Sequence, residues 1–295
     1  MDHATLYDIS LRIAYAYDAP AAASRAVLRM LPLTGPGQQL VTGFVDARPG
    51  PAVRRDGRDF WGNATVEIGY DTALEEVEFR FDGRVRRQRP DDGLDLSCGL
   101  SQLASELAAA QSLHPLSPQH FIGTSPRVVP VPEIAAFARA ATVESGSTLA
   151  AVRALSAALH GEFTFDPEAT DVTTDPAEAF RNRRGVCQDI SHVMIAGLRG
   201  IGVPAGYVSG FLRTDPPPGQ PRLEGTDAMH AWVRAWCGAE TGWVEIDPTN
   251  DMLAGVDHVA VAVGRDYSDV SPVRGTLRSA GTHTTEHRVD VVPVG

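Results

Sequence analysis

The sequence predicts an α+β protein whose first third is an antiparallel, β-sandwich-like domain and whose remainder mixes helices with strands. Three observations lead there. Tyr7, Ile9, Leu11, Ile13, Tyr15 and Tyr17 alternate without a break, the period-2 signature of a strand with one buried face. Further short strand-like runs follow with no helical period between them, which favours sheet packed on sheet. Past about residue 90 the composition turns Ala-rich and the apolar spacing becomes helical.

Taken in order, the further strand-like runs are 39–47, 64–70 and 75–81, separated by turn chemistry such as Arg48-Pro49-Gly50 and Asp82-Gly83. Residues 1–90 are therefore read as the β-rich domain. A helical connecting region, 91–160, carries helical patterns at 101–113 and 131–143. A third lies at 148–159, where Leu149, Val152, Leu155 and Leu159 fall on one stripe. The last unit, 161–282, mixes one helix with several strands until about Val263. Short alternation returns at Val289 and Val291, so a terminal strand at 283–294 is expected to rejoin the first sheet. No internal repeat or low-complexity tract interrupts the chain.

Composition narrows the function. The 295 residues are 43% hydrophobic and 21% charged, ordinary values for a globular protein. No apolar run approaches the length that crosses a bilayer, and MDHATLYDIS has neither the basic nor the apolar region of a signal peptide. A cytoplasmic protein without a membrane partner is expected. The net charge of −11 argues against nucleic acid, because phosphate binding needs concentrated Lys and Arg. All 26 basic residues are Arg, so the chain offers no lysine amine of its own to acyl-transfer chemistry. The three cysteines, Cys98, Cys187 and Cys237, are odd in number and lack paired spacing. A disulfide framework and a structural zinc site are both disfavoured.

One constellation carries chemistry. After Gly185-Val186-Cys187-Gln188-Asp189, the residues Ile190, Val193, Met194, Gly197 and Leu198 repeat at helical spacing until Gly200-Ile201-Gly202. Cys187 thereby opens a helix, where unpaired N–H groups and the macrodipole favour a thiolate. Taken alone, a cysteine there is as easily a small packed hydrophobe. Downstream, DAMHAWVRAW places His230, Trp232, Arg234 and Trp236 on one face of a strand, and Trp243-Val244-Glu245-Ile246-Asp247 forms a second strand stopped by Pro248. A four-residue link, Cys237 to Glu240, makes these a hairpin. That loop pairs Trp236 with Thr241 and, continuing the register, His230 with Asp247, with Cβ atoms about 5 Å apart. A carboxylate at that reach holds an imidazole in one tautomer while its other nitrogen serves the thiolate. A lone strand His or a lone Asp before Pro is ordinarily structural. Three separate elements supplying nucleophile, base and orienter together are not easily explained as packing. His192 lies five residues after Cys187, about 140° around the helix, so it is read as a packing or hydrogen-bonding residue. His258, in DHVAVAVGRDY, is read as lying behind the site at most. Cys98, without a basic neighbour, and Cys237, in the hairpin loop, are read as inert. Arg213, Asp215 and Pro216-Pro217-Pro218 form a loop that can border the cleft or simply cover the surface.

These residues resemble the bacterial transglutaminase-like superfamily, whose members are often described as candidate cysteine proteases. The matching text is FTFDPEATDVTTDPAEAFRNRRGVCQDISH (163–192), GVPAGYVSGFLRTDPPPGQPRLEGTDAMHAWV (202–233), GWVEIDPTN (242–250) and DHVAVAVGRDYSDVSPVRG (257–275). YDISLRIAYAYDAP (7–20) and DFWGN (59–63) resemble the family's β-rich N-terminal domain. Two departures stand out: Ile190-Ser191 where an aromatic–Ala pair is common, and Ser10 where His is common. The resemblance implies a papain-related core with the cysteine helix packed on an antiparallel sheet. It makes Cys187 the nucleophile, His230 the base and Asp247 the orienting carboxylate.

The expected function is therefore a cysteine-dependent amide-bond hydrolase, a protease or amidase working through a thioester. Water and an amine compete for the same acyl-enzyme, so a transglutaminase is the alternative. A catalytically silent binding module is a third reading, disfavoured because all three triad residues are retained. No cofactor or metal is expected, and the partner is a peptide or protein amide; the oligomeric state stays open.

Overall fold

A computed structural model describes residues 4–88, 93–214 and 227–294. Five strands open the chain: β1 (Ala4–Leu28), β2 (Gln38–Arg48), β3 (Val53–Arg58), β4 (Ala64–Gly69) and β5 (Leu74–Gln88), in the order β2-β5-β1-β4-β3. Strand β1 has 25 residues, more than one flat sheet accommodates. Register breaks between Ala16 and Ala21 and between Ala22 and Arg25, with Ala23 at φ 51°, let it bend. Its first half lies between β5 and the C-terminal β14 (His283–Val294), and its second half pairs with β4 and with β13 (Val273–Arg278). Both halves enclose one apolar core. Tyr7, Ile9, Leu11 and Ile13 point into it, joined by Phe79, Phe81, Val66, Ile68, Val289 and Val291. Strand β13, grouped with the last unit from sequence, thus pairs with the first.

Three helices follow: α1 (Leu100–Ala109), α2 (Pro132–Thr142) and α3 (Thr148–Glu162). The predicted helix at 101–113 stops early because nothing awaits its last turn; Leu113 is 92% exposed. Ser147 caps α3, its hydroxyl accepting from the Ala150 N–H at 3.1 Å. After the short β6 (Thr164–Phe165) come α4 (Pro176–Asn182), β7 (Arg184–Gly185) and α5 (Cys187–Gly200). Every α5 residue from Asp189 to Leu198 is buried, so this is a central helix and not a surface one. Its glycines permit close approach: Gly197 faces Leu155, Ala138 and Ile134, and a Cβ on Gly200 would lie 2.7 Å from Ala135.

The second sheet is antiparallel, in the order β11 (Met252–Leu253), β10 (Trp243–Asp247), β9 (Ala228–Trp236), β8 (Ala205–Leu212), β12 (His258–Gly264). Ala231, Val233 and Ala235 of β9 share a core with α5, α2 and α3. A last helical turn, α6 (Tyr267–Val270), follows β12. Strand β12 connects the two sheets. The Gln38 side chain donates to Ala260 O at 2.7 Å and accepts from Ala260 N at 2.8 Å. Asn63 does the same with Val263, both at 2.8 Å. The extra residue between these contacts, Val261, turns into the N-terminal core together with Val259 and Phe211.

Candidate active site

Cys187 is the first residue of α5. Before it, Gly185 has φ 154°, and a Cβ there would lie 2.6 Å from Asp189 Oδ2, so glycine is required. The Val186 N–H donates to that same oxygen at 2.8 Å and the Thr170 hydroxyl at 2.6 Å. Asp189, in the third helical position, thus fixes the turn that delivers the thiol. Burial pushes the Asp189 carboxyl upward, against the pull of those two bonds. The first N–H groups of a helix have no intrahelical partner and form its positive end. The half-buried Cys187 thiol therefore sits where backbone dipoles favour negative charge. Gln188 turns aside, its amide donating to Val172 O at 3.3 Å.

The hairpin corrects the predicted register. Cys237 N donates to Gly242 O and Gly242 N to Gly238 O, with Gly238 and Gly242 both at positive φ. The loop therefore consumes two more residues than predicted, and Trp236 pairs with Trp243. Ile246 stands opposite Val233, leaving Asp247 diagonal to His230 and not directly across. A shift of two residues keeps every side chain on its face, and a diagonal neighbour is within reach of a ring. His230 Nε2 lies 2.7 Å from Asp247 Oδ2, in a buried environment. The Cys187 thiol is close enough to this ring to raise its pKa together with Asp247. Cys187, His230 and Asp247 are thus brought together.

Asp247 is completely buried and ringed by N–H donors. Thr249 N and Asn250 N donate to Oδ1 at 2.9 and 3.3 Å, and Asn250 Nδ2 donates to Oδ2 at 2.7 Å. His258 Nε2 also meets Oδ2, at 3.2 Å. Burial opposes ionisation here, but the bonds from His230 and His258 overcome it and hold the carboxyl far below the usual range. Burial likewise opposes a charged His230. The bonds to Asp247 and Cys187 and their charges prevail, and the ring's pKa is pushed up to about 10. With Nε2 committed to Asp247, the site is built to hold a charged imidazolium beside a carboxylate. Among the described residues, His230, Asp247 and His258 form the one group whose donor types suit a metal. The 2.7 Å between His230 Nε2 and Asp247 Oδ2 is a hydrogen-bond distance, shorter than the roughly 3.3 Å between neighbouring ligands of a tetrahedral zinc.

Other candidates lie apart. His192 is buried, accepts from Tyr267 N at 3.2 Å, and burial pushes its pKa down to about 4. It is a neutral structural ring. Burial pushes the Cys237 thiol up to about 12, and burial with the Glu106 hydrogen bond raises Cys98. Neither suits a nucleophile. Arg213 pairs with Asp257 at 3.0 Å; Asp215 and Pro216-Pro217-Pro218 lie outside the described residues. Sequence reasoning missed Asp189, visible only as an acidic third residue in a helix, and Asn250, visible only as an Asx neighbour in DPTN.

Comparison with known proteins places the chain. Residues 135–248 match the transglutaminase-like superfamily, and residues 7–86 match the bacterial transglutaminase-like N-terminal region. The chain belongs to the transglutaminase-like superfamily. It is 30% identical over 291 residues to an uncharacterised protein of Mycobacterium tuberculosis, spanning 97% of this chain and 92% of that one. An uncharacterised protein of Mycobacterium leprae is 28% identical over 279 residues, 94% of this chain and 95% of the relative. In fold it is similar to the crystal structure of a "putative cysteine protease" from Cytophaga hutchinsonii. The TM-score is 0.76 at 17% identity, over 99% of this chain and 92% of the other. Among the described residues no helix is long and apolar enough to cross a membrane.

Proposed function

We propose that the chain is a cysteine-dependent amide hydrolase acting on peptide or protein amides, with Cys187 as nucleophile, His230 as base and acid, and Asp247 as orienter. The supporting observation is the buried 2.7 Å bond between His230 and Asp247, with the Cys187 thiol near enough to the ring to raise its pKa. The thiolate attacks the carbonyl carbon, and its oxyanion is met by N–H groups at the start of α5, Cys187's own among them. The C–N bond breaks as the imidazolium gives its proton to the leaving amine. Water, deprotonated by His230, then cleaves the thioester, releasing the acid and restoring the thiol. This reading places the chain in the reducing cytoplasm, where the thiol stays free.

The test is labelling with a panel of peptide electrophiles, followed by mass spectrometry of the adduct. A single adduct on Cys187, absent in Cys187→Ala with the fold intact, is expected. Turnover of a cleavable peptide amide should yield the free acid, even with excess primary amine present. If the amine is incorporated instead, the chain is a transglutaminase. Wild-type turnover in Cys187→Ala would remove the nucleophile assignment altogether.

A further inference from the structure

We propose that His258 is a positioning residue for this reaction: it clamps the Asp247 carboxylate, as a neutral donor, in the orientation that His230 requires. The inference rests on the triad reading given above.

A carboxylate is held still by donors from outside its own turn. Asp247 receives three bonds from Thr249 and Asn250, but these belong to the turn that carries Asp247 and move with it. His230 is the ring to be oriented. The remaining anchor from another element is His258, the first residue of β12, which two strands separate from β10 in the sheet order. Its ring has its own scaffold. Nδ1 accepts the Gly255 N–H at 3.2 Å, so the single ring proton sits on Nε2 and is given to Asp247. A cation here would draw on the carboxylate's charge. A neutral donor fixes the oxygen and leaves that charge to the His230 imidazolium.

The surroundings keep the clamp rigid. His258 is 1% exposed and packs against Trp232 in a T-shaped contact, 5.2 Å between centroids at 81°. The Trp232 indole donates to Glu245 at 2.9 Å. Gly210 makes room for that indole, since a Cβ there would lie 2.5 Å from it and 2.2 Å from Val259 O. From the N-terminal sheet, Arg87 donates to the His258 carbonyl at 2.9 Å, and Tyr7 donates to neighbouring Asp257 at 3.0 Å.

The experiment compares His258→Gln, whose amide nitrogen can reach the place of Nε2, with His258→Leu and His258→Asn, which cannot donate there. Two readouts are taken: kcat and KM on a peptide amide, and the pH dependence of Cys187 alkylation by iodoacetamide. His258→Leu and His258→Asn should lower kcat about 10- to 100-fold with little change in KM, by analogy with the scale seen when the outer partners that orient metal ligands are lost. The acid limb of the alkylation profile should move to higher pH, because a loosened carboxylate stabilises the imidazolium less and the thiolate appears later. His258→Gln should recover most of both effects. Wild-type kcat and profile in His258→Leu, or equal impairment in Gln and Asn, would overturn the inference. If Leu does not fold, the Gln–Asn comparison decides alone. A free-thiol profile in the wild-type protein would sink the triad reading itself, and this inference with it.

Discussion

His230 and Asp247 share one bond but shift in opposite directions, and the signs set a pH window. Asp247 is held well below its unfolded value of about 4. It therefore adds stability that is full above about pH 4 and lost as pH falls toward its folded value. His230 is raised from about 6.5 to about 10, so its contribution is full below about pH 6.5 and is lost as pH rises through about 10. His230→Gln should accordingly lower the urea midpoint more at pH 6 than at pH 10.5. An equal gap at both would mean that the folded ring carries no proton of its own. Part of that raised value comes from Cys187, so Cys187→Ala should bring the His230 pKa down, readable by NMR of the ring. Asp247→Asn keeps a hydrogen-bond partner but removes the charge and can select the wrong tautomer. Turnover should fall on the order of tenfold to a thousandfold, less than in a serine triad, because cysteine is the stronger nucleophile and leans less on its base. Its rate should also hold over a narrower pH range. A native rate and profile would reduce Asp247 to a turn residue before Pro248. Cys187, His230 and Asp247 were legible in sequence because each sits at a signature position: a helix start, a strand face, a strand end before Pro. The His258 clamp was not, because its bond to Asp247 exists only once β12 has closed on the sheet.

At the scale of elements, periodicity carried the reading where one face is buried, and failed where chain length is spent in turns. The alternation at Tyr7, Ile9, Leu11 and Ile13 survives intact as the inward face of β1. Nothing in that pattern shows that the strand runs on to Leu28 and changes partners midway. In the β9–β10 hairpin, loop length was read from Gly238 alone, while the structure also uses Gly242. The error was two residues, and the face assignment survived only because it was even. The buried Trp232 and its glycine neighbour offer a sharp check. Gly210→Ala places a methyl within 2.2 Å of Val259 O and 2.5 Å of Trp232. Backbone on one side and a fully packed ring on the other leave no room to give, so a loss of about 1–3 kcal/mol is expected, read as a lower denaturant midpoint. A neutral Gly210→Ala would show that the two strands can separate more than this packing allows.

Across the whole molecule, the α+β class was legible from where strand periodicity gave way to helical spacing. The union of the parts was not, since it depends on contacts 200 residues apart, such as Asn63 with Val263. Phe211, Val259 and Val261 bury their side chains in the N-terminal core, so urea unfolding should follow one transition by both fluorescence and circular dichroism. Two separate transitions would mean that this shared core is weaker than either part. Asn63→Leu orphans Val263 N–H and C=O together, at about 1–3 kcal/mol each, and should lower the urea midpoint with the slope unchanged. The paired amides of Gln38 and Asn63 also carry a consequence for anyone dividing the protein. Strand β12 ends the second sheet, and without these two side chains and the Leu33 N–H that also donates to Ala260 O it would offer bare N–H and C=O groups to any passing chain. Residues 93–272 expressed alone should therefore self-associate, while full-length protein at the same concentration does not. The β-rich region is a permanent stopper on an adhesive edge, and removing it should trade a folded protein for a precipitate.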